Sequence, residues 1–555
     1  MEKIWLKHYS EDIPPTLDYP DVPIVHFLEE AAENYPETLA TIFMGATMTY
    51  RELNDQVNKF ACGLLSLGIK RGDRVALLFP NCPQSIIALF AALKLGAIVV
   101  QNNPLYVERE LKYQVNNSGA ETMITLDLKM MYPKIEKIRH ETCLKHIIVS
   151  SLKEYLPFPL SVLYPLAKRK YIARVSPHAI QFQDLMKKGD TLPSVSVESD
   201  DVALLQYTGG TTGISKGVML THHNLVVNAI QCMSWSVGIE IGKERLLAVL
   251  PFFHSFGMTV SMNFPIYVAA TMILVPRFDT KEILSLIQKY KPTMFPGVPT
   301  MYVAINNHPE VSKYDLSSVK FCISGAAPLP LEVLQEFERV TGGKLREGYG
   351  LTESSPVTHC NPLEGLVKEG SIGIPFPDTA CKIVDVDTGK KELGSNEIGE
   401  LCIKGPQIMK GYWNMPEETD MTLQDGWLYT GDIAKVDEDG YFYIVDRKKD
   451  MIIASGFNIY PRDIEEVLYE HPKVKEAVVA GVPDAYRGET VKAYVVLKDG
   501  VTATEEEIIQ FCTENMAKYK VPKIVEFRDE LPKTIVGKIL RRELVEEELK
   551  KNEAQ

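Results

Sequence analysis

The segment YTGGTTGISKG, residues 207–217, directly follows the strand-like run Val202–Gln206. Its eleven positions hold four glycines, four serine or threonine hydroxyls and one lysine, Lys216. Glycines let backbone N–H groups close around phosphate oxygens, while the hydroxyls add donors and the lysine adds positive charge. The segment is not a Walker A loop, because Ile214 and Ser215 separate its third glycine from the lysine. A strand that runs into such a loop predicts a phosphate-binding turn, and a plain surface loop is the weaker alternative.

Helical and strand-like patterns alternate on both sides of this segment. Tyr50–Leu67 has apolar residues at helical spacing, and Arg74–Leu78 reads as a buried strand. Gln84–Leu95 is again helical, and Ile98–Gln101 returns to a strand pattern. Further strands are expected at Leu246–Leu250, Thr271–Val275, Thr293–Phe295 and Lys320–Ile323. This alternation predicts an α/β fold with largely parallel sheets.

The pattern changes near residue 370, where short strands separated by Gly, Asp and Asn begin. They are expected at Cys381–Val386, Gly399–Ile403 and Gly440–Val445, and they predict a small β unit over about 370–447. The charged run Asp446–Asp450 then interrupts the chain.

A compact α+β pattern follows the charged run. Helices are expected at Pro461–His471 and Thr504–Met516, with strands at Ala477–Val482 and Lys492–Lys498 between them. About 105 residues suffice for an independent domain. We therefore predict an N-terminal domain over 1–447 and a C-terminal α+β domain over 448–555.

Composition excludes several classes of protein. A net charge of −13 over 555 residues argues against a general nucleic-acid binder, which needs a basic face. Nine scattered cysteines without a CxxC pair fit neither a zinc site nor a secreted disulfide framework. The N-terminus has no apolar signal segment, and the longest apolar stretches are too short or carry a lysine. A cytoplasmic protein is expected.

The segment REGYGLTE, residues 346–353, places a glycine on each side of Tyr349. An aromatic ring in that setting can stack on a nucleotide base. Thr352 and Glu353 offer oxygen atoms for a phosphate and a hard cation, because Mg²⁺ prefers one or two carboxylates together with substrate phosphates. Taken alone, a turn with a solvated glutamate would explain the segment equally well.

Two more segments indicate nucleotide binding only when they occur together with the phosphate loop and residues 346–353. DGWLYTGD, residues 425–432, ends in Asp432, whose carboxylate can accept both hydroxyls of a ribose; a capped β-turn is the simpler alternative. LPKTIVGK, residues 531–538, carries Lys538 in a glycine-bearing loop near the C-terminus.

The four segments, in this order and spacing, resemble the adenylate-forming superfamily of acyl-CoA synthetases, luciferases and peptide-synthetase adenylation domains. The likeness runs over essentially the whole chain. Within it, residues 425–433 followed by Arg447–Asp450 resemble the fatty-acyl-CoA synthetase signature, and Asn102–Tyr106 is similar to long-chain bacterial members. The resemblance implies a large N-terminal domain of stacked α/β sheets with a small β unit, and a small mobile α+β C-terminal domain.

The resemblance also implies a ligase reaction in two half-reactions. The fatty-acid carboxylate attacks the α-phosphate of Mg-ATP and pyrophosphate leaves; the CoA thiol then attacks the acyl-adenylate and AMP leaves. Two anions meet in the first step, so catalysis there is chiefly positive charge and positioning. ATP and coenzyme A are the expected co-substrates, and Mg²⁺ is the expected cofactor.

The resemblance also implies a role for each residue that matches a family motif. Lys538 corresponds to the lysine that bridges the substrate carboxylate and the α-phosphate, and Thr208 and Glu353 to the Mg²⁺ contacts. Asp432 corresponds to the ribose ligand and Arg447 to a second ribose or phosphate contact. The residues expected to bind ATP or AMP are Thr208, Gly209, Gly210, Thr211, Thr212, Gly213, Lys216, Gly325, Ala326, Ala327, Glu347, Gly348, Tyr349, Gly350, Thr352, Asp432, Arg447 and Lys538.

Further roles are implied for residues away from the nucleotide. His254 matches an aromatic gate between the acyl and CoA tunnels, although a lone histidine in an apolar segment is often a core residue. Lys449 matches a hinge whose backbone torsion swings the small domain between half-reactions; a solvated linker is the alternative. That swing would bring Ser455, Gly456 and Phe457 to the CoA site. The apolar segment Thr293–Met301 is expected to help line the acyl site.

The expected partners are fatty acid, ATP and CoA, with no nucleic acid. The apolar, then basic segment Leu156–Arg174 fits either a solvated surface or a peripheral contact with the inner membrane face. A homodimer is compatible with the sequence.

Four other functions compete with a long-chain fatty acid–CoA ligase. A medium-chain acyl-CoA ligase would differ only in the depth of its acyl tunnel. A fatty-acyl-AMP ligase would keep every ATP residue and load a carrier protein. A luciferase-like oxygenase would consume oxygen, and a catalytically dead acyl-binding protein would not be expected to keep Lys216, Glu353 and Lys538.

Overall fold

The computed structural model describes residues 3–189, 191–193, 195–208, 215–454, 457–484, 488–516, 518, 520–533 and 539–553. These residues pack into two compact units. The N-terminal unit comprises Trp5–Ala380 and Lys404–Leu428. The C-terminal unit comprises Cys381–Ile403 and the described residues from Tyr429 onward, with Lys3 and Ile4.

The strands of the described residues carry numbers in chain order. They are β1 (Leu39–Phe43), β2 (Ala46–Thr49), β3 (Arg74–Leu78), β4 (Ile98–Asn102), β5 (Thr122–Leu126), β6 (His146–Ser150), β7 (Ile180–Gln181), β8 (Val202–Thr208), β9 (Lys216–Thr221), β10 (Arg245–Ala248), β11 (Thr271–Leu274), β12 (Phe321–Ser324), β13 (Lys344–Gly350), β14 (Val357–Cys360), β15 (Ile374–Pro375), β16 (Ala380–Val384), β17 (Gly399–Lys404), β18 (Gly411–Tyr412), β19 (Leu423–Gln424), β20 (Trp427–Val436), β21 (Phe442–Arg447), β22 (Ile452–Ala454), β23 (Phe457–Ile459), β24 (Val474–Asp484), β25 (Gly488–Leu497) and β26 (Ile524–Phe527).

The α-helices are numbered in the same way. They are α1 (Val25–Asn34), α2 (Tyr50–Ser66), α3 (Pro83–Lys94), α4 (Glu108–Ser118), α5 (Tyr132–Ile138), α6 (Leu160–Ala167), α7 (Phe182–Leu185), α8 (His222–Trp235), α9 (Ser255–Met258), α10 (Phe264–Tyr267), α11 (Thr280–Tyr290), α12 (Pro299–Asn306), α13 (Leu331–Thr341), α14 (Pro416–Thr422), α15 (Pro461–Glu470), α16 (Glu505–Asn515) and α17 (Arg541–Glu553). A π-helical turn, Thr259–Asn263, joins α9 to α10.

An eight-stranded sheet forms the centre of the N-terminal unit, in the order β18-β9-β8-β4-β3-β5-β6-β7. The strands from β8 to β7 along this order run parallel, and β8, β9 and β18 pair antiparallel. Every residue of β4, β5 and α3 is buried, as expected for a parallel sheet that is covered on both faces. Two four-stranded sheets, β10-β11-β1-β2 and β12-β13-β14-β15, complete the layers. The predicted α/β fold class is confirmed.

The C-terminal unit contains two sheets. The first includes β16, β17 and β20, with β21 paired antiparallel to β20. In the second, the strands run in the order β23-β22-β25-β24, and β26 pairs parallel to β25. Helices α15 and α16 pack on the second sheet through a buried cluster that includes Ile464, Leu468 and Ile508. The α+β pattern predicted after the charged run Asp446–Asp450 is confirmed.

One predicted strand is wrong. The segment Thr293–Phe295 is not a continuous strand, although Met294 bridges Leu246 and Phe321 and the Phe295 N–H donates to the Phe321 carbonyl at 3.0 Å. Pro292 and Pro296 flank it, and because proline cannot donate to a ladder, the pairing is interrupted at Pro296 and resumes at Gly297, which bridges Ser324.

Among the described helices, none combines the length and the apolar composition that crossing a bilayer requires.

Candidate active site

The base of the predicted phosphate loop is a β-hairpin. Strands β8 and β9 pair antiparallel, and Thr208 stands directly opposite Lys216. The Ser215 hydroxyl donates to the Thr208 carbonyl at 2.7 Å, and the Tyr113 hydroxyl donates to the Ser215 carbonyl at 2.9 Å. The first and last predicted loop residues are therefore held side by side at the end of a rigid sheet. The intervening predicted residues, Gly209–Gly213, lie outside the described residues.

Lys216 is a largely buried cation with two partners. Its ammonium group pairs with the Glu418 carboxylate, and its Nζ lies 4.8 Å from the centre of the Tyr412 ring. Glu418 belongs to α14, and Tyr412 ends β18, the strand that pairs with β9. Lys216, Glu418 and Tyr412 therefore belong to one polar cluster.

Glu353 joins the same cluster. The Tyr412 hydroxyl donates to Glu353 Oε1 at 2.9 Å, and the Met409 N–H donates to the Glu353 carbonyl at 2.8 Å. Burial and the neighbouring carboxylate raise the pKa of Tyr412, so its hydroxyl remains a donor at neutral pH. Lys216 and Glu353 thus contact opposite parts of one tyrosine, the ring and the hydroxyl.

The predicted adenine loop begins where β12 ends. Strands β12 and β13 run parallel with Ser324 opposite Glu347, so Gly325, which follows β12, lies at the same edge of the sheet as the Gly348–Gly350 end of β13. Ala326 has φ +69°, a left-handed conformation that costs a non-glycine residue energy and is frequent at functional sites. At Gly325, a Cβ atom would stand 2.9 Å from the Phe256 ring, which explains the glycine.

Lack of space for a side chain also explains the glycines around Tyr349. A Cβ at Gly348 would stand 2.7 Å from Ile323 Cδ1, and one at Gly350 would stand 2.0 Å from the Pro356 carbonyl oxygen. The Tyr349 ring packs edge-on against His359, with centroids 5.7 Å apart. Burial lowers the pKa of His359 to about 3, so the imidazole that packs against this ring is neutral at neutral pH.

His254 caps a short helix beside this edge. Its Nδ1 accepts from the Phe256 N–H at 3.3 Å, at the start of α9. The next residue, Ser255, has its hydroxyl oxygen 3.2 Å from that of Thr352. The predicted gate residue and the predicted phosphate ligand Thr352 therefore lie on neighbouring segments of the same unit.

An apolar cavity of about 70 Å³ lies in the N-terminal unit. Its lining residues are Cys232, Trp235, Ser236, Leu246, Val260, Phe264, Met294, Pro296, Phe321, Cys322, Ile323, Arg346, Cys360, Leu363 and Phe376. Strand β12 contributes three of these and then leads directly into Gly325–Ala327. Trp235 packs on Phe376 with ring centroids 4.8 Å apart, and its Nε1 donates to the Asn361 carbonyl at 3.3 Å. Strand β12 therefore both lines the cavity and leads into the predicted adenine loop.

In the C-terminal unit, the two predicted ribose residues form an ion pair. Asp432 and Arg447 stand opposite each other on β20 and β21, with Arg447 Nε 2.8 Å from Asp432 Oδ1. Glu400 holds the turn beside them, because its carboxylate accepts from the Gly431 N–H at 3.1 Å and from Lys448 Nζ at 2.8 Å.

The predicted hinge follows this pair. The N–H groups of Asp450 and Met451 both donate to the Arg447 carbonyl, at 3.0 and 3.1 Å. Arg541 of α17 donates to Asp450 Oδ2 and to Glu465 Oε1, both at 2.7 Å.

Lys538, Ser455 and Gly456 lie outside the described residues, together with the tip of the phosphate loop. Phe457 begins β23, where its backbone pairs with Ala454.

Comparison with known proteins agrees with this geometry. The AMP-binding enzyme family matches residues 28–413, and the AMP-binding enzyme C-terminal domain matches residues 463–538. The chain belongs to the AMP-binding enzyme family. The resemblance to adenylate-forming acyl-CoA synthetases is thereby confirmed.

Individual relatives of this AMP-binding enzyme cover nearly its whole length. A long-chain-fatty-acid–CoA ligase of Bacillus subtilis (strain 168) is 50% identical over 555 residues, 99% of this chain and 98% of the relative. ATP-bound MatB from Rhodopseudomonas palustris is 30% identical with a TM-score of 0.83, covering 95% of this chain and 99% of its own. The anthranilate CoA ligase AuaEII, in complex with anthranoyl-AMP, has the same identity, 30%, and TM-score, 0.83, over 96% of this chain and 98% of its own.

Sequence reasoning missed two residues of this AMP-binding enzyme's polar cluster, Tyr412 and Glu418. Both lie in GYWNMPEET, residues 411–419, whose density of aromatic and acidic side chains was the available signal.

Proposed function

We propose that this AMP-binding enzyme is a long-chain fatty acid–CoA ligase that forms acyl-AMP and then acyl-CoA. The observation that carries the proposal is the 50% identity, over 99% of this chain, to a relative with that activity in its name. The lining of the cavity supports an aliphatic substrate, because it offers few polar partners to any other group, and about 70 Å³ is room for a few methylene groups of an acyl chain.

The first half-reaction requires Lys538, Lys216 and the glycine-rich loop in this proposal. An oxygen of the fatty-acid carboxylate forms a bond to the α-phosphorus, the bond from that phosphorus to the β-phosphate oxygen breaks, and pyrophosphate leaves. Lys538 neutralises the meeting anions, and Lys216 with the glycine-rich loop holds the departing phosphates. Such preorganised charges act most strongly where water is excluded.

Glu353 and Thr208 offer oxygen atoms of the kind that Mg²⁺ binds. Glu353 supplies a carboxylate whose Oε1 is oriented by the Tyr412 hydroxyl, and Thr208 supplies a hydroxyl oxygen at the loop base. Oxygen ligands of this kind, completed by phosphates, are those that Mg²⁺ prefers. When bound, the ion would neutralise β- and γ-phosphate charge.

Two groups of residues contact the nucleoside in this proposal. Gly325–Ala327 and Tyr349 contact the adenine, and Asp432 accepts from the ribose hydroxyls. Arg447 orients that carboxylate through its ion pair.

In the second half-reaction, the CoA sulfur forms a bond to the acyl carbon, the bond from that carbon to the phosphate oxygen breaks, and AMP leaves as the thiol proton is released. The proposal also includes a domain boundary near 447 and 448 and a hinge at Lys449. It further includes a contact of Ser455–Phe457 with CoA and a gate at His254. The cytoplasmic location and the homodimer also stay predictions.

The direct test is AMP release with CoA across saturated acids from acetate to stearate. A long-chain ligase releases AMP fastest with the longest acids and consumes free CoA in step. A maximum at medium chain length would establish a medium-chain ligase instead. Adenylate formation without CoA consumption would establish a ligase that loads a carrier protein.

The cavity predicts a change in chain-length preference. Val260→Phe fills space beside the cavity, so kcat/KM for palmitate should fall at least about tenfold while that for a short acid is retained, since each buried methylene contributes roughly 0.8 kcal/mol. Val303→Phe is the matched control, because Val303 is 36% exposed on α12. An unchanged preference in Val260→Phe would place the acyl chain elsewhere.

The polar cluster predicts a defect in ATP binding. Lys216→Met should raise the KM for ATP roughly tenfold to a hundredfold, because it removes a charge-assisted contact to phosphate. Lys410→Met is the control, since Lys410 is exposed and its Nζ lies 3.4 Å from the Asp200 carbonyl oxygen. Steady-state rates at varied ATP measure the effect, and equal KM values in the two variants would contradict it.

A further inference from the structure

The segment around α6 presents apolar side chains to solvent. Phe158, Val162 and Leu166 are 85%, 61% and 73% exposed, the highest values among the exposed large apolar side chains of the described residues. Leu160, Leu163 and Tyr171 are 45%, 50% and 51% exposed. We refer to these six residues as the α6 patch.

The orientation of α6 is the reverse of that expected for a surface helix. Its partly buried positions are Ser161, Tyr164 and Pro165, while the leucines at 160, 163 and 166 face outward. None of its residues is buried, although the sequence LSVLYPLA contains no charge. A surface helix in water normally turns its apolar residues inward. Contiguous exposed apolar residues therefore mark a surface that another phase or partner covers.

The α6 patch is fixed to the body of the N-terminal unit. Leu156, just before it, is buried. After it, the Lys129 N–H donates to the Tyr171 carbonyl at 2.8 Å, and the Ala173 N–H donates to the Asp127 carbonyl at 2.7 Å. The apolar side chains are thus displayed on an anchored element.

Charge distinguishes between the surfaces that could cover the patch. Lys168, Arg169, Lys170 and Arg174 are all exposed, and the stretch from Tyr155 to Arg174 contains no acidic residue, in a chain of net charge −13. A second copy seated symmetrically on this face would bring two basic clusters together, which disfavours it. A bilayer with anionic headgroups suits both features, because leucines enter the acyl boundary while lysines and arginines remain at the headgroups.

We propose that the α6 patch and its basic cluster dock this protein on the surface of an anionic phospholipid bilayer. The contact is peripheral: α6 has eight residues, and a helix needs about 20 to span a bilayer. The inference does not depend on the proposed reaction, since it rests on exposure, anchoring and charge.

The test is flotation of the full-length protein with vesicles. Vesicles of phosphatidylcholine alone are compared with vesicles of equal parts phosphatidylcholine and phosphatidylglycerol. The wild type should bind the anionic vesicles, and binding should weaken as salt rises. Leu163→Asp with Leu166→Asp should weaken binding at least about tenfold through lost apolar insertion. Neutralising Lys168, Arg169 and Lys170 to Gln should weaken it roughly a hundredfold, at about fivefold per charge.

A matched control separates the patch from general surface hydrophobicity. Ile241 and Leu331 are 44% and 37% exposed elsewhere in the N-terminal unit, so Ile241→Asp with Leu331→Asp should bind as the wild type does. Retained AMP release with a water-soluble acid shows that each variant is folded. Failure of the wild type to bind anionic vesicles, or unchanged binding of the leucine variant, overturns the proposal. So does a wild-type dimer that the leucine variant dissociates, since the patch would then be a subunit interface.

Discussion

Replacing Lys538 with alanine should lower the rate of pyrophosphate–ATP exchange by about 10²–10³-fold. Exchange reports the first half-reaction, in which the substrate carboxylate approaches an anionic α-phosphate. Loss of one preorganised positive group from such a transition state has a cost of that order. Transfer of the acyl group from a supplied acyl-adenylate to CoA should stay within a few-fold of the wild-type rate, because no second anion approaches the phosphate in that step.

Lys533 provides the control for this prediction. It lies in the same segment, and its ammonium group pairs with Glu476 Oε1 at 2.6 Å. Lys533→Ala removes an equal charge from the loop and should leave both half-reactions near their wild-type rates. If Lys538→Ala keeps wild-type exchange, Lys538 does not bridge the reacting anions. If both half-reactions fall together in Lys538→Ala, its role is in folding and not in the first step.

Much of the secondary structure could be predicted because its causes are local. The apolar run Arg74–Leu78 is a strand with the predicted bounds. Helix α2 begins at Tyr50 as predicted, since Thr49 and Glu52 form a reciprocal capping box that satisfies the first backbone donors. The segment Thr293–Phe295 misled the same reasoning, because its apolar character suits a strand while the prolines around it limit pairing.

The side chains that contact Lys216 of the phosphate loop could not be predicted from local sequence. Its glycines and Lys216 are adjacent in sequence, so the motif alone pointed to phosphate binding. Tyr412 and Glu418, which contact Lys216, lie about 200 residues further along the chain. Only the pairing of β18 with β9, with Tyr412 opposite Val218, brings them to the loop. Pairing between strands so far apart in the chain cannot be deduced from a single sequence. The contacts of Lys216 are therefore known only from the structure.

Restricting the backbone at Lys449 should separate the two half-reactions. Its neighbours are anchored: the Lys448 N–H donates to the Gly431 carbonyl at 2.9 Å, and the Asp450 carboxylate accepts from Arg541 at 2.7 Å. Proline fixes φ at about −65° and disfavours the α region at the preceding residue. Lys449→Pro should therefore hold one domain arrangement, keep one half-reaction within a few-fold of wild type and slow the other roughly a hundredfold, the cost of misplacing reacting groups.

The result depends on measuring the half-reactions separately. Pyrophosphate–ATP exchange follows adenylation, and acyl-CoA formation from a supplied acyl-adenylate follows thioester formation. Lys449→Ala is the control, because it removes the side chain and leaves the torsion free, so both rates should be near wild type. A selective loss in Lys449→Pro with none in Lys449→Ala would locate the hinge in the backbone torsion. Equal loss of both half-reactions in a folded Lys449→Pro protein would show that residue 449 is an ordinary linker residue and that any domain movement has its axis elsewhere.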